Sequence, residues 1–341
     1  MTRKIRLGFT NDLNDKIDIA KMLLKKMPEV EYQVFPEFLA EVTPAQIEGF
    51  DILVSFYGTR WTRRTLEGNK RLLAIHLTGV GYDLVDVPAL TNAGVMLYIT
   101  PRASRRGMAV ANLTMLLTLS TRILEKHQII REGRWREASK CYGYGLIGKT
   151  LGSIGAGNIG HEMFRLAKPL GMKHIVFDPY ISPEAVADVD VKLVDMDTVL
   201  AESDFLNIGC RLNEKTRHLI GLNELRKMKK TAFLINTARG PIVDEAALIK
   251  ALRDGWIRGA GLDVFEQEPT PNDNPLLKMD NVITTPHSLG WTDEHWTDTW
   301  DEIIEQISHI TRGNIPEGLA NREVLDKPEF KTKMQDFRAG L

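Results

Sequence analysis

The chain is poor in cysteine: Cys141 and Cys210 are the only two among 341 residues, far apart and outside any metal-type spacing. That scarcity argues against a disulfide framework or a cysteine-based zinc site. It suits a reducing compartment, so a cytoplasmic protein with no metal is expected. Net charge is missing as well, because 44 Lys and Arg nearly cancel 45 Asp and Glu. With no large single-sign field, neither nucleic acid nor an anionic membrane is an expected partner. Nor is there a long uninterrupted apolar run. The longest stretch, Met108 to Leu124, is broken by Asn112, Thr114, Thr118, Ser120 and Arg122, which suits a buried helix of a soluble protein better than a membrane span. The first residues lack a signal-peptide layout and read instead as a strand, Ile5 to Phe9. Beyond two similar α/β halves there is no internal repeat and no low-complexity segment.

What is present is enough chain for two hydrophobic cores, with a cleft between two domains as the natural place for a small ligand. Short β-rich runs (Ile5 to Phe9, Tyr32 to Phe35, Ile52 to Phe56, Leu73 to Leu77, Val95 to Tyr98) alternate with helical stretches such as Asp15 to Met27. Alternation of that kind predicts parallel strands with helical crossovers. Thr100-Pro101 breaks the pattern and marks the first boundary. After the long helix and a polar stretch, Glu132 to Lys149, a second series follows: Leu151 to Gly155, Ile175 to Asp178, Phe205 to Gly209, Ala232 to Asn236, Gly259 to Val264 and Val282 to Thr285. Six strand candidates with intervening helices predict a doubly wound dinucleotide fold. A final amphipathic helix, Glu294 to Thr311, leads into a tail without a strong pattern, expected to fold back on the first domain. The predicted fold class is α/β with two Rossmann-like domains. A discontinuous, smaller, flavodoxin-like substrate domain takes residues 1–101 and 291–341, and a cofactor domain takes 102–290.

Gly155-Ala156-Gly157-Asn158-Ile159-Gly160 has the G-x-G-x-x-G spacing, which is weak alone and gains weight from its context. An apolar strand precedes it, and Ile159, Met163, Leu166, Ala167 and Leu170 follow at helical spacing. Gly155 permits the tight turn, Gly157 lets backbone approach a pyrophosphate, and Gly160 lets helix and strand pack closely. The helix N-terminus supplies free N–H groups for the anion. Asp178 ends the next strand, where an acceptor for the adenosine ribose hydroxyls is needed, and it repels a 2′-phosphate. NAD is therefore favoured over NADP. The plainer reading is a glycine turn beside a surface carboxylate.

Four segments resemble the D-isomer-specific 2-hydroxyacid dehydrogenase family: the glycine turn, Asn236-Thr237-Ala238-Arg239-Gly240, Asp263-Val264-Phe265-Glu266-Gln267-Glu268-Pro269, and Thr285-Pro286-His287. They stand in family order, and Gly79-Val80-Gly81-Tyr82-Asp83 and Gly148-Lys149-Thr150 extend the likeness over roughly residues 50 to 325. The chemistry of a 2-oxo acid asks for these residue types. Its carboxylate sits beside a carbonyl that becomes negative as hydride arrives, so a cation, a proton donor and a partner for that donor are needed. The resemblance implies that Arg239 binds substrate and polarises the carbonyl, that His287 exchanges the hydroxyl proton, and that Glu268 holds the imidazolium. It also implies substrate contacts at Tyr57, Val80 and Gly81, and cofactor contacts at Asn158, Ile159, Cys210, Thr216, Thr237, Ala238, Asp263 and Gly290. A homodimer built through the cofactor domain follows from the same likeness. Taken singly, Arg239 reads as a surface charge, Glu268 as part of an acidic loop, His287 as a loop residue and Asp263 as a strand end.

Departures from the family pattern are informative too. Leu289 and Trp291 flank Gly290 with more bulk than usual, and Phe56 and Tyr57 are either an aromatic pocket wall or a strand with one ring buried. Arg211 follows Cys210 where proline is usual, which keeps NADP open. Ser104, Met108 and Val110 depart from the pattern at the start of the long helix, where Arg102, Arg105 and Arg106 make it basic. The remaining histidines, His218 among them, read as structural. Two other functions fit less well. A dinucleotide-sensing corepressor-like protein would add flexible tails, and a formate or phosphite dehydrogenase is disfavoured by Glu268, since formate enzymes usually lack that acid.

Overall fold

The computed structural model describes residues 4–10, 15–37, 39–56 and 58–340. The chain forms two compact units, Met1–Ser104 with Thr292–Leu341, and Arg105–Trp291. In the terminal unit β1 (Ile5–Phe9), β2 (Val30–Val34), β3 (Ile52–Ser55), β4 (Ala74–Leu77) and β5 (Met96–Tyr98) make an all-parallel sheet of order β2-β1-β3-β4-β5. That order is the flavodoxin-like one. Successive residues feed opposite faces, as the two-residue period of a strand requires. Ile52, Val54, Ala74, Met96 and Tyr98 join Trp300 on one side. Leu53, Ile75 and Leu97 join Ile47 and Trp61 on the other. Both faces are covered, so the strands read as continuous apolar runs.

The last segment supplies much of that cover. Helix Asp293–Thr311 buries Trp296, Trp300, Ile303, Ile307 and Ile310. The tail, read as patternless, is helical over Pro328–Gly340 and buries Phe330, Met334 and Phe337 in the same cluster. Those three have helical spacing, but charged neighbours dilute the signal. The long helix differs from expectation as well. It spans Pro101–Thr121, with Pro101 at a position where its missing N–H costs nothing. It then breaks at Arg122, whose φ of 53° is left-handed, before helix Ile123–Arg131. Arg122 is held there by Glu125 at 2.8 Å and the Tyr142 carbonyl at 3.3 Å. Among the described residues no single helix is long and apolar enough to cross a membrane; this bent pair reaches the criterion only when taken together.

In the central unit β6 (Thr150–Ile154), β7 (Lys173–Phe177), β8 (Lys192–Leu193), β9 (Phe205–Ile208), β10 (Phe233–Asn236), β11 (Gly259–Leu262) and β12 (Val282–Thr284) form a parallel sheet of order β12-β11-β10-β9-β6-β7-β8. This is the doubly wound order, with the switch point between β6 and β9. The seventh strand, β8, is two residues long and leaves no pattern in the sequence.

One buried titratable group gives the terminal unit a pH signature. His76 on β4 stacks on Tyr98 with ring centroids 4.9 Å apart, and its Nδ1 meets Gln306 Oε1 at 2.9 Å. Burial pushes its pKa down from 6.5 to about 4, with the Gln306 bond opposing the shift. Below pH 6.5 the unfolded chain takes up a proton that the folded one refuses until about pH 4. Stability should therefore fall across that window, by roughly 3 kcal/mol in all. Urea midpoints measured against pH should show this slope in the wild type and a flatter profile in His76→Phe. Equal slopes in both would remove His76 as the cause.

Candidate active site

β6 runs into the glycine turn and then into helix Asn158–Ala167. Gly155 has φ of 96°, and a Cβ there would lie 2.8 Å from the backbone of Gly209 and Cys210, so only glycine lets the turn rest on the end of β9. A Cβ on Gly157 would meet nothing within 4 Å, which leaves open space before the helix N-terminus. At Gly160 a Cβ would stand 3.1 Å from the Gly155 carbonyl, close enough to push helix from turn. Asn158 is exposed and Ile159 half-buried at the helix start. Asp178, just after β7, accepts from Ala156 N and from Tyr180 N, both at 3.0 Å. The acid is thereby fastened to the turn it was expected to serve. An open glycine cradle, a helix N-terminus and a fixed carboxylate fit the pyrophosphate and ribose of a dinucleotide. Cys210 is half-buried, and desolvation pushes its thiol up to about 11, so it remains neutral. The Thr216 hydroxyl donates to the Arg211 carbonyl at 2.6 Å and accepts from Asn213 N at 2.8 Å, which shapes the loop after β9.

A second group of residues lies at the ends of β10, β11 and β12. Asn236 pairs with Leu262, and Leu262 with Thr284, so three strand ends stand side by side. This is the edge where open parallel sheets present ligand-binding loops. Asn236 was not anticipated. Its Nδ2 donates to the Arg239 carbonyl at 2.9 Å and its Oδ1 accepts from Ala238 N at 3.1 Å, curling the loop that carries Arg239. The Thr237 hydroxyl donates to Asn112 Oδ1, and Arg239 Nη1 donates to the Ala238 carbonyl. Gly240 then passes so close to the next loop that a Cβ would fall 1.9 Å from the Phe265 carbonyl.

Glu268 and His287 meet directly: Glu268 Oε2 and His287 Nδ1 are 2.8 Å apart, with both side chains mostly shielded. A carboxylate can only accept, so Nδ1 carries the proton of this bond. The other oxygen, Oε1, accepts from Phe265 N at 2.9 Å and stops the carboxylate from rotating away. His287 has φ of 52°. For a residue with a side chain that conformation costs roughly 1–2 kcal/mol. Asp263 offsets the cost. Its carbonyl accepts from His287 N at 2.8 Å, and its buried carboxylate accepts from Thr285 Oγ1 at 2.6 Å and Ser288 N at 3.1 Å. The resemblance marks Asp263 for the cofactor; in the structure its carboxylate also braces the histidine turn.

The departures become legible in pairs. A Cβ on Gly290 would lie 2.3 Å from Met108 Sδ, so Met108 and glycine at 290 fit each other. Trp291 is half exposed. Phe56 belongs to the core, packed edge-on against Trp300, whereas Tyr57 lies outside the described residues. Val80 is half-buried and Gly81 exposed in the loop after β4 of the terminal unit. Arg102 is paired with Glu302 and Glu305, and Arg106 with Glu162, which accounts for two of the three basic residues. Among the described residues no His, Cys, Asp and Glu cluster could hold a metal ion.

Residues 113–288 match the model of the D-isomer specific 2-hydroxyacid dehydrogenase NAD-binding domain. The chain belongs to this family. It is 38% identical to a glyoxylate reductase of Korarchaeum cryptofilum over 82% of its length and 85% of the relative's. With a glyoxylate reductase of Thermococcus litoralis it shares 36% identity, covering 89% of this chain and 93% of that one. A crystal structure of D-lactate dehydrogenase from Aquifex aeolicus, complexed with NAD and lactic acid, superposes with a TM-score of 0.83 at 25% identity, covering 92% and 99% of the two chains. As a family member the protein is an oxidoreductase acting on 2-hydroxy acids, with NAD as its cofactor.

Proposed function

We propose that this 2-hydroxyacid dehydrogenase interconverts a small D-2-hydroxy acid and its 2-oxo acid, with Arg239, Glu268 and His287 as the catalytic residues. The observation that carries the reading is the Glu268–His287 bond of 2.8 Å, made at the same sheet edge that presents Arg239. Bound NAD supplies the hydride acceptor, and NADH the donor. The protein has three tasks. Arg239, a planar fork of donors, takes the substrate carboxylate and draws charge toward the reacting oxygen. With Nδ1 committed to Glu268, proton exchange with that oxygen falls to His287 Nε2. Glu268, bonded to Nδ1, holds the ring in place while the proton is given and returned. The reading also gives Cys210, Thr216, Thr237, Ala238 and Gly290 a place along the cofactor.

Purified protein mixed with NADH and, in turn, glyoxylate, hydroxypyruvate, pyruvate and phenylpyruvate should consume NADH with at least one of them. In reverse, the D and not the L isomer of the product should reduce NAD. Inertness toward all four, or preference for the L isomer, would contradict the proposal. The assembly is proposed to be a homodimer through the NAD-binding unit, which exposes Ile123, Leu124, Ile130, Trp135, Tyr142 and Ile147. Sedimentation of the same preparation should give twice the chain mass. A cytoplasmic setting fits the two free thiols, and fractionation of expressing cells tests it.

A further inference from the structure

Outside the residues assigned so far, His218 joins the loop of Arg239, through its backbone, to the loop of Glu268, through its ring. His218 sits in a left-handed backbone conformation with φ of 53°. Its N–H donates to the Pro241 carbonyl at 2.8 Å, two residues beyond Arg239. Its ring Nε2 lies 2.5 Å from Glu266 Oε1, two residues before Glu268. Both anchors are themselves held. Ile220 N donates to the Ile242 carbonyl at 3.1 Å and Asp244 N to the Ile220 carbonyl at 3.0 Å, lacing residues 218–220 along 241–244. Glu266 N donates to Glu245 Oε2 at 3.0 Å, and Glu245 N returns a bond to Glu266 Oε2 at 3.3 Å. Glu245 Oε1 accepts from Asn274 Nδ2 at 2.8 Å, and Asn274 also reaches Thr270 Oγ1, just past Pro269.

We infer that His218 is a positioning residue, whose ring sets the distance between the Arg239 loop and the loop that carries Glu268. The inference rests on the catalytic reading of Arg239 and Glu268 above. Non-glycine residues in a left-handed conformation persist where surrounding bonds hold them, and here the bonds lead to the two loops of the site. The His218–Glu266 pair is partly exposed, with side chains 43% and 33% accessible, so it adds little to global stability. Catalysis is far more sensitive than stability to a sub-ångström change in spacing. Loss of the pair should therefore register in turnover and leave melting unmoved.

His218→Ala should lower kcat about tenfold, leave the NADH dissociation constant within twofold and keep the melting temperature. His218→Gln, whose amide can reach Glu266, should recover most of the rate. Glu266→Ala approaches the clamp from the other side and should cost a similar factor. The double variant should be no slower than either single one, because all three remove the same interaction. Wild-type kcat in His218→Ala, a loss that only tracks melting temperature, or additive losses in the double variant would each overturn the inference. His287→Ala assayed alongside separates the two ideas. If it is inactive while His218→Ala is normal, only the clamp fails; if it is active, the catalytic reading itself fails.

Discussion

His287→Ala should lower the rate of 2-oxo acid reduction by roughly 10³-fold while NADH still binds with its original affinity. The separation follows from where the residue stands. His287 follows β12, at the far side of β11 and β10 from the glycine turn at the end of β6. The substitution removes the proton donor and leaves Glu268 with Phe265 N as a partner. Alanine at φ near 52° bears about the same backbone cost as histidine, and the Asp263 carbonyl still accepts its N–H. The fold should thus be unchanged, and fluorescence titration with NADH beside steady-state rates will show both halves of the result. Near-normal turnover would remove His287 from the mechanism.

Gly240→Ala is expected to damage fold and function together, costing about 3 kcal/mol of stability and most of the turnover. A methyl group at that position would overlap the Phe265 carbonyl at 1.9 Å and the Glu266 nitrogen at 2.4 Å, and backbone cannot step aside as a flexible side chain can. The loops bearing Arg239 and Glu268 would have to separate, which is the distance the chemistry depends on. Gly157→Ala is the matched control, because its Cβ enters open space and should leave urea stability unchanged. Equal urea midpoints for the wild type and Gly240→Ala would show that the two loops do not pack as described.

Much of this was legible in the sequence, and the reasons are physical. Strands buried on both faces leave apolar runs, so β1 and β9 appear nearly residue for residue, while two-residue β8 leaves none. Glycines in a turn between strand and helix, with Asp178 following, announce a phosphate site because few other residues satisfy that geometry. Loop-to-loop packing leaves no periodic trace. Gly240 looked like the end of a motif and His218 like a structural histidine, since their partners lie on other loops, while Asn236 looked like a strand terminus although its side chain curls the loop that follows it. Asp263 was marked through resemblance, and only the backbone around His287 shows what its carboxylate accepts. The break at Arg122 was hidden for a similar reason, as Tyr142 holds it from twenty residues away.

A crystal structure with NAD and an unreactive 2-oxo acid mimic tests the central claim most directly. Arg239 is expected on the ligand carboxylate, and His287 Nε2 within hydrogen-bond distance of the C2 oxygen, with Glu268 still on Nδ1. A mimic bound beside the nicotinamide with either side chain turned away from it would contradict the account.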